Sequence, residues 1–276
     1  MFTPEPVPHI QVRDLTMAYG DFVVMRDLTF DIQRGEIFVI MGGSGCGKST
    51  LLRHLTGLLH PAAGRIFYDG VEFTGADDEE RNHMLRKFGV MFQGGALWSS
   101  LTLAENVAFP LEEFTDLPPE IIRETVELKL ALVGLRGYEE FYPAEISGGM
   151  CKRASLARAM ALDPEFLFFD EPSAGLDPVS ARRLDDLILQ LRDSLGTTVV
   201  VVTHELASIF AIADRAIYLD VTTRTVGGLG NPTTLRTESP NENLRLFLNR
   251  GMTGLYEAHD PATGAPFVIA PGPHPG

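Results

Sequence analysis

The sequence is poor in cysteine and in long apolar runs. Its 276 residues include only two cysteines, Cys46 and Cys151, which are too few for a disulfide scaffold and favour a reducing compartment. The longest apolar strings, such as residues 199–202, have the length of a strand, whereas a membrane-spanning helix needs roughly 18–20 apolar residues. The first ten residues lack the basic patch and apolar run of a signal peptide. These absences predict a soluble cytoplasmic protein.

Positive charge is scarce as well. The chain has 23 lysines and arginines against 37 aspartates and glutamates, which leaves a net charge of −14. Such an acidic chain lacks the basic footprint of a general nucleic-acid binder, and it is equally unsuited to binding anionic lipid head groups directly. We therefore expect no nucleic-acid partner, and we expect the chain to reach a membrane only through another protein.

Hydrophobic patterning predicts strands and helices in alternation. Residues 10–40 alternate apolar and polar positions between turn signals and lead into a buried strand at 37–41, which is typical of short antiparallel strands beside a core strand. Apolar runs at 166–169 and 198–202 indicate strands covered on both faces, as in a parallel sheet. Residues from about 94 to 160 show helical periodicity instead. The pattern predicts an α/β fold with a small antiparallel β subdomain and an inserted helical subdomain.

A glycine-rich motif carries the strongest chemical signal. Residues 42–50 read GGSGCGKST and match the pattern G-x-x-x-x-G-K-[ST] between a predicted strand and a predicted helix. Glycines let backbone amides turn toward phosphate oxygens, and the N-terminus of the following helix adds partial positive charge. In this pattern Lys48 reaches the β- and γ-phosphates and the Ser49 hydroxyl binds Mg²⁺. The predicted nucleotide-binding residues are Gly42, Gly43, Ser44, Gly45, Cys46, Gly47, Lys48, Ser49 and Thr50.

Two adjacent carboxylates, Asp170 and Glu171, follow the apolar run at 166–169. Ligands of open α/β sheets bind beyond the carboxyl ends of the strands, so both acids should lie close to the glycine-rich loop. We predict that Asp170 binds Mg²⁺ and that Glu171 is the general base for the attacking water. The sequence therefore predicts an ATPase whose P-loop NTPase core is a mostly parallel sheet flanked by helices.

The boundaries of the domain follow from composition. We assign residues 1–250 to one ATPase domain that contains the helical insertion at about 94–160. In the last 26 residues, 251–276, ten positions are glycine or proline, which predicts an irregular tail. The apolar residues of this tail favour a contact with a neighbouring copy over a free segment.

At this point the chain resembles the nucleotide-binding subunits of ABC transporters, over roughly residues 10–235. The stretch Ile146-Ser147-Gly148-Gly149-Met150 is similar to their signature motif, with isoleucine and methionine at two positions where the family usually has leucine and glutamine. The resemblance implies that Ser147, Gly148 and Gly149 cap the γ-phosphate of an ATP held by a second copy. It thus implies a head-to-tail homodimer closed by two ATP molecules.

Four further positions match this family. The resemblance implies that Gln93 senses Mg²⁺ and the attacking water, that His204 contacts the γ-phosphate, and that Tyr19 stacks on adenine. It also implies that Asp177, at the end of the stretch 173–177, takes part in signalling across the dimer. Simpler interpretations stay open for each: a surface glutamine, a structural histidine, a core or surface tyrosine and a helix cap.

Two other side chains receive structural interpretations. Cys46 lies inside the glycine-rich loop, and we assign it no catalytic role but expect its alkylation to block the site. Trp98, the only tryptophan, is interpreted as a core residue rather than a contact for a partner.

The segments 92–111 and 146–153 resemble the branch of the family that serves MCE-type (Mla) lipid transporters. This resemblance implies an ATPase on the cytoplasmic face of a bacterial inner membrane, bound peripherally beneath a multi-span permease. It would move phospholipid between inner and outer membranes with an MCE-domain partner, and it leaves room for a small regulatory subunit. The alternatives are an ATPase for amino-acid import or lipoprotein release, and a soluble ABC protein of translation or DNA repair. Lipid species and transport direction are not encoded in a recognisable pattern of this chain.

Overall fold

A computed structural model of the protein describes residues 7–253, 256–259 and 266–269. The strands are β1 (Ile10–Tyr19), β2 (Phe22–Ile32), β3 (Ile37–Met41), β4 (Ala63–Tyr68), β5 (Val71–Glu72), β6 (Phe88–Met91), β7 (Phe166–Asp170), β8 (Thr198–Val202), β9 (Arg215–Asp220), β10 (Thr225–Gly230), β11 (Tyr256–His259) and β12 (Pro266–Ile269). The α-helices are α1 (Lys48–Leu55), α2 (Asp78–Leu85), α3 (Leu103–Phe114), α4 (Pro119–Leu132), α5 (Gly148–Ala159), α6 (Pro178–Leu195), α7 (Leu206–Ile212), α8 (Pro232–Glu238) and α9 (Glu242–Thr253).

The central sheet has six strands in the order β10-β9-β3-β8-β7-β6. Its strands pair in parallel, except that β10 runs antiparallel to β9. Because β3, β7 and β8 are neighbours and run in the same direction, their carboxyl ends lie at one edge of the sheet. That edge receives the glycine-rich loop after β3, the two acids at the end of β7 and the segment after β8.

The second sheet is antiparallel, in the order β2-β1-β4-β5. Alternate residues of β1 are buried, including Ile10, Val12, Leu15 and Met17, which have no exposed surface. This alternation is the period of two that places every second side chain on one face of a strand. The mostly parallel core and the antiparallel subdomain confirm the predicted fold class.

The two sides of the core meet at the buried strand β3. Phe38 and Ile40 pack in a cluster with the antiparallel sheet and α1, while Ile37, Val39 and Met41 pack on the opposite side with the helices that follow β6 and β7. Fully burying a large apolar side chain stabilises a fold by about 1.5–3 kcal/mol. Because β3 is packed on both of its faces, the core on either side holds the loop at its carboxyl end in place.

Helices α3, α4 and α5 lie between β6 and β7, in the region predicted to be helical. Helix α3 begins with a capping box, in which the Thr102 hydroxyl accepts from the Glu105 amide (3.1 Å) and the Glu105 carboxylate accepts from the Thr102 amide (2.7 Å). Helix α6 is capped at its start by Asp177, whose carboxylate accepts from the Val179 and Ser180 amides at 3.0 Å, and at its end by Gly196 in a left-handed conformation. Helix α2, which has little apolar periodicity, was not predicted.

Two departures from the sequence-based expectations concern Trp98 and the tail. Trp98 is 55% exposed, so its interpretation as a core residue is wrong. In the tail, β11 and β12 pair as a short antiparallel ladder with Tyr256 opposite Ile269, whereas an irregular tail was predicted; strands of four residues are too short to show alternation. The rest of the tail and the predicted contact with a neighbouring copy lie outside the described residues. Within the described part of the chain, no helix is long and apolar enough to cross a bilayer.

Candidate nucleotide-binding site

The glycine-rich loop joins the carboxyl end of β3 to the first residue of α1. The Lys48 side chain lies back along this loop, and its ammonium donates to the carbonyl oxygens of Gly42 (3.1 Å) and Gly43 (3.0 Å). Gly47 has a φ of 95°, and a Cβ atom there would lie 2.8 Å from Val24 Cγ1. Glycine is thus required at this position both by backbone conformation and by the close approach of β2.

One hydrogen bond joins the carboxyl end of β7 to the start of α1. Ser49 Oγ donates to Asp170 Oδ1 at 2.9 Å. Burial raises the pKa of Asp170, and the neighbouring charge of Glu171 raises it further; the Ser49 hydrogen bond, Arg53 and Lys48 act in the opposite direction. A hydroxyl and a carboxylate in contact are oxygen donors of the kind that Mg²⁺ prefers.

Glu171 has an unusual backbone for a residue that is not glycine, with a φ of 49°. Its amide donates to the Val202 carbonyl oxygen at 2.8 Å, which ties this turn to the end of β8. Its Oε1 lies 2.7 Å from His204 Nδ1, while its buried Oε2 has no hydrogen-bond partner among the described residues. Left-handed conformations of bulky residues are costly and concentrate at functional sites.

Next to these residues is a cleft of about 580 Å³, which the predicted residues Gly42, Gly43 and Asp170 adjoin but do not line. The predicted site residues that line it are Tyr19, Ser44, Gly45, Gly47, Lys48, Ser49, Thr50, Gln93, Glu171 and His204. Tyr19 is half exposed at its rim, with its hydroxyl 3.4 Å from Thr50 Oγ1. The fold therefore brings residues from well-separated segments into one concave site.

Three residues that the sequence analysis did not identify also line the cleft: Phe22, Val24 and Arg250. The Arg250 guanidinium donates to the His204 carbonyl oxygen and lies 4.3 Å from the centre of the Phe247 ring. No local pattern marks Arg250, because α9 begins 38 residues after His204 and only the tertiary fold returns it to the site.

The predicted residues at the starts of α5 and α6 lie outside the cleft that contains Lys48. Ser147 and Gly149 border a separate cleft of about 500 Å³ against α6, and Ser147 caps α5 by accepting from the Met150 amide (3.3 Å). Asp177 caps α6 and is exposed; hydrogen bonds from Ser180 lower its pKa. Within one copy of the chain, these residues and Gly148 at the start of α5 do not line the cleft that contains Lys48.

Cys46 belongs to the glycine-rich loop in sequence but does not line the cleft. Its side chain is 1% exposed, and a Cβ atom at Gly42 would lie 2.6 Å from its sulfur. Burial also raises the pKa of the Cys46 thiol. The expectation that alkylation at Cys46 blocks the site therefore needs correction, because the thiol is inaccessible and the thiolate that would react is disfavoured.

We expect Ellman's reagent to label Cys151, which is partly exposed, at least about tenfold faster than Cys46 in the folded protein. A Cys151→Ser variant isolates the slow thiol, and labelling in denaturant provides the control in which both cysteines react. Rapid labelling of Cys46 in folded Cys151→Ser protein would contradict the buried position of this thiol.

Comparison with known proteins agrees with this geometry. A family model described as ABC transporter matches residues 25–174. The chain is 43% identical over 207 residues to the intermembrane phospholipid transport system ATP-binding protein MlaF of Haemophilus influenzae, covering 75% of this chain and 78% of that protein. It is 40% identical over 259 residues to the probable ribonucleotide transport ATP-binding protein mkl of Mycobacterium tuberculosis H37Rv, covering 93% and 71%.

Among solved structures, the fold matches a dimeric post-hydrolysis state of the ATP-binding cassette MJ0796 bound to ADP and Pi. The TM-score is 0.73 at 30% identity, and the match covers 80% of this chain and 98% of that one.

The fold and the cleft define a P-loop ATPase. Within that class, the chain belongs to the ABC transporter family and is the ATP-binding subunit of a transporter. It binds and hydrolyses ATP, as the sequence analysis predicted. ATPases of this family dimerise and work with permease subunits.

Proposed function

We propose that this protein is the ATP-hydrolysing subunit of an inner-membrane transporter that moves phospholipid between the inner and outer membranes. The proposal rests chiefly on its similarity to MlaF, whose name assigns it to intermembrane phospholipid transport. We propose that it works as a homodimer on the cytoplasmic face beneath a multi-span permease, with an MCE-domain protein as the lipid-binding partner. A small regulatory subunit is compatible with this assembly.

In the proposed site, ATP binds with its base against Tyr19 and its phosphates in the loop of residues 42–47. Lys48 already donates two hydrogen bonds to loop carbonyls, so its ammonium can exchange those partners for phosphate oxygens when ATP enters. Backbone amides at the start of α1 have no partners within the helix and point at the same place. Binding thus uses groups that the fold has positioned before ATP arrives.

Hydrolysis requires a base and a place for a divalent cation. Ser49, Asp170 and Gln93 would hold Mg²⁺, which supplies charge neutralisation at the β- and γ-phosphates. Glu171, whose Oε2 has no hydrogen-bond partner in the described part of the chain, accepts a proton from the attacking water. His204 bonds to the other oxygen of that carboxylate and so orients the base while it contacts the γ-phosphate.

The proposed dimer explains the distant position of Ser147, Gly148 and Gly149. These residues are too far from the Lys48 cleft to line it, yet a serine and two glycines at a helix N-terminus form a suitable anion site. In a head-to-tail pair, they would cap the ATP bound to the other copy, and Asp177 would lie at the same interface. ATP would then hold the two copies together, and its hydrolysis would release them.

The permease is proposed to dock near Gln93 and the helical insertion. An open groove of about 610 Å³ borders this region, lined in part by the apolar side chains of Trp98, Phe109, Pro110 and Phe114. Exposed apolar surface of this kind marks protein interaction sites. The net charge of −14 suits the basic cytoplasmic loops that membrane proteins carry.

The test of this proposal is recovery of the transporter from its native membranes. We expect tagged Glu171→Gln protein, solubilised in mild detergent with ATP, to co-purify with a multi-span permease, an MCE-domain protein and bound phospholipid, identified by mass spectrometry. The Lys48→Met variant serves as the control for contacts that do not depend on bound ATP.

The other outcomes each replace the proposal with a different one. The name of the mycobacterial relative raises ribonucleotide transport as a second candidate, which recovery of a permease with bound ribonucleotide would support. An amino-acid-binding protein or a lipoprotein in the complex would indicate another transporter class. Ribosomes or DNA-repair proteins would overturn the proposed transport of phospholipid altogether.

A further inference from the structure

The loop that carries Gln93 is anchored to helix α5. The Lys152 ammonium donates to the Gln93 carbonyl oxygen, and Arg158 donates to the carbonyl oxygens of Gly95 (3.0 Å) and Ala96 (2.6 Å). Gly95 and Ala96 both have positive φ, so this loop has no regular secondary structure to hold it. A hydrogen bond from the Gly95 amide to the Phe92 carbonyl oxygen (2.7 Å) closes a turn within the loop, and the side chains of α5 fasten that turn to the helix.

Of the two charged anchors, Lys152 is buried, whereas Arg158 is only partly buried. Lys152 is 9% exposed, and burying an ammonium is unfavourable unless polar or charged neighbours compensate. One such neighbour is the Gln93 carbonyl oxygen, to which the ammonium donates. Burial lowers the pKa of Lys152, and the charges of Asp170 and Glu171 at the end of β7 act in the opposite direction. The lysine thus contacts the Gln93 loop directly and is within electrostatic range of the two acids of the site.

The same helix begins at the residues proposed to meet the second ATP. Ser147 caps α5, and Lys152 lies little more than one helical turn farther along. A helix moves as a rigid element over so short a distance. Any displacement of its N-terminus by a bound phosphate is therefore passed to the Gln93 carbonyl.

We infer that Lys152 is a positioning residue that makes the placement of Gln93 depend on the placement of α5. When Ser147 and its neighbours engage the ATP of the second copy, Lys152 draws Gln93 into position beside the first ATP. Hydrolysis at one cleft then requires that α5 is docked on the other copy. This inference rests on the proposed roles of Gln93 and Ser147.

Trp98 can report a movement of the Gln93 loop through its fluorescence. Trp98 is the single tryptophan and lies five residues after Gln93. Its ring is 55% exposed and packs 6.0 Å from the ring of Phe109. Its fluorescence should change when the loop shifts on ATP binding, and the signal can be measured without turnover in a Glu171→Gln background.

The experiment compares Lys152→Met, Lys152→Arg and a matched control, Lys129→Met. Lys129 is a second buried lysine of the helical insertion, but its ammonium pairs with Asp163. We expect Lys152→Met to lower kcat at least about tenfold while KM for ATP changes less than about threefold. It should also lose the ATP-induced change in Trp98 fluorescence while still binding radiolabelled ATP.

The same variants also show which results would contradict the proposed role of Lys152. Lys152→Arg should restore both readouts, because arginine can donate to the same carbonyl oxygen. Normal kcat and a normal Trp98 response in Lys152→Met would overturn the inference, as would equal losses in Lys152→Met and Lys129→Met. If Gln93→Ala is inactive while Lys152→Met is normal, the proposed role of Gln93 stands and the role of Lys152 falls. Failure to recover an MCE-domain partner would leave these readouts unchanged.

Discussion

The Glu171→Gln variant is expected to bind ATP normally and to hydrolyse it about 10²–10⁴-fold more slowly than the parent protein. Glutamine has the same shape and can keep the contact with His204, which lies 2.7 Å from Glu171 Oε1. It has no basic oxygen, however, and so cannot accept a proton from water. Because hydrolysis is proposed to release the dimer, the variant should elute as a dimer with ATP and as a monomer without it. Steady-state ATPase assays and size-exclusion chromatography with light scattering measure both effects.

The neighbouring acid Glu205 provides the matched control. Its Oε1 lies 3.5 Å from His204 Nε2, and it lines a different cleft from the one that contains Lys48. We expect Glu205→Gln to hydrolyse ATP within about twofold of the parent, because the Glu205 side chain is exposed, makes only this long contact with His204 and has no part in the proposed proton transfer. Assignment of Glu171 as the base would be wrong if its glutamine variant turned over ATP at the parental rate.

Replacing Gly89 by alanine is expected to lower the free energy of unfolding by about 3 kcal/mol, a large loss for the addition of one methyl group. Gly89 lies in β6, where a Cβ atom would overlap the Ala159 carbonyl oxygen and come within 2.7 Å of Leu167 Cδ2 and 2.9 Å of Pro164 Cγ. The first of these is backbone at the end of α5 and cannot move aside like a flexible side chain. The melting temperature should fall by about 6–12 °C.

Gly94 is the control for this loss, since a Cβ atom at Gly94 would meet no atom of the described residues within 4 Å. Gly94→Ala should change the free energy of unfolding by no more than about 0.5 kcal/mol. Differential scanning calorimetry of both variants separates close packing at β6 from a general intolerance of added methyl groups. Equal melting temperatures for Gly89→Ala and the parent would contradict the contact between β6 and α5.

The sequence was most informative where function depends on a short contiguous segment. The motif at 42–50 predicted the strand, loop and helix that hold Lys48 and Ser49, because glycine spacing encodes the loop conformation directly. The apolar run before Asp170 likewise predicted a buried strand with acids at its end. The interpretation of Asp177 as a helix cap was also correct, since capping residues act locally.

Predictions failed where a side chain's environment comes from distant segments. Trp98 was interpreted as core, yet more than half of its surface is exposed. Alkylation of Cys46 was expected to block the site, yet its side chain is buried close to Gly42. Arg250 was not identified, and Lys152 was noted only as part of the segment 146–153, because their contacts with the residues of the cleft join helices to loops tens of residues away in sequence.

Residue types and short spacings were enough to predict the phosphate loop, the paired acids and the acidic composition, and the resemblance to ABC transporter subunits added the roles of Ser147, Gly148 and Gly149. These properties do not depend on how the chain is arranged in space. Which side chains meet was settled by the packing of the whole chain. Parallel pairing of β3, β7 and β8 brings Lys48, Asp170, Glu171 and His204 to one edge of the sheet. The contact of Lys152 with the Gln93 carbonyl oxygen joins the Gln93 loop to α5, the helix that Ser147 caps. The reason is physical: distances between segments far apart in the chain depend on the close packing of the entire core, and no local pattern encodes them.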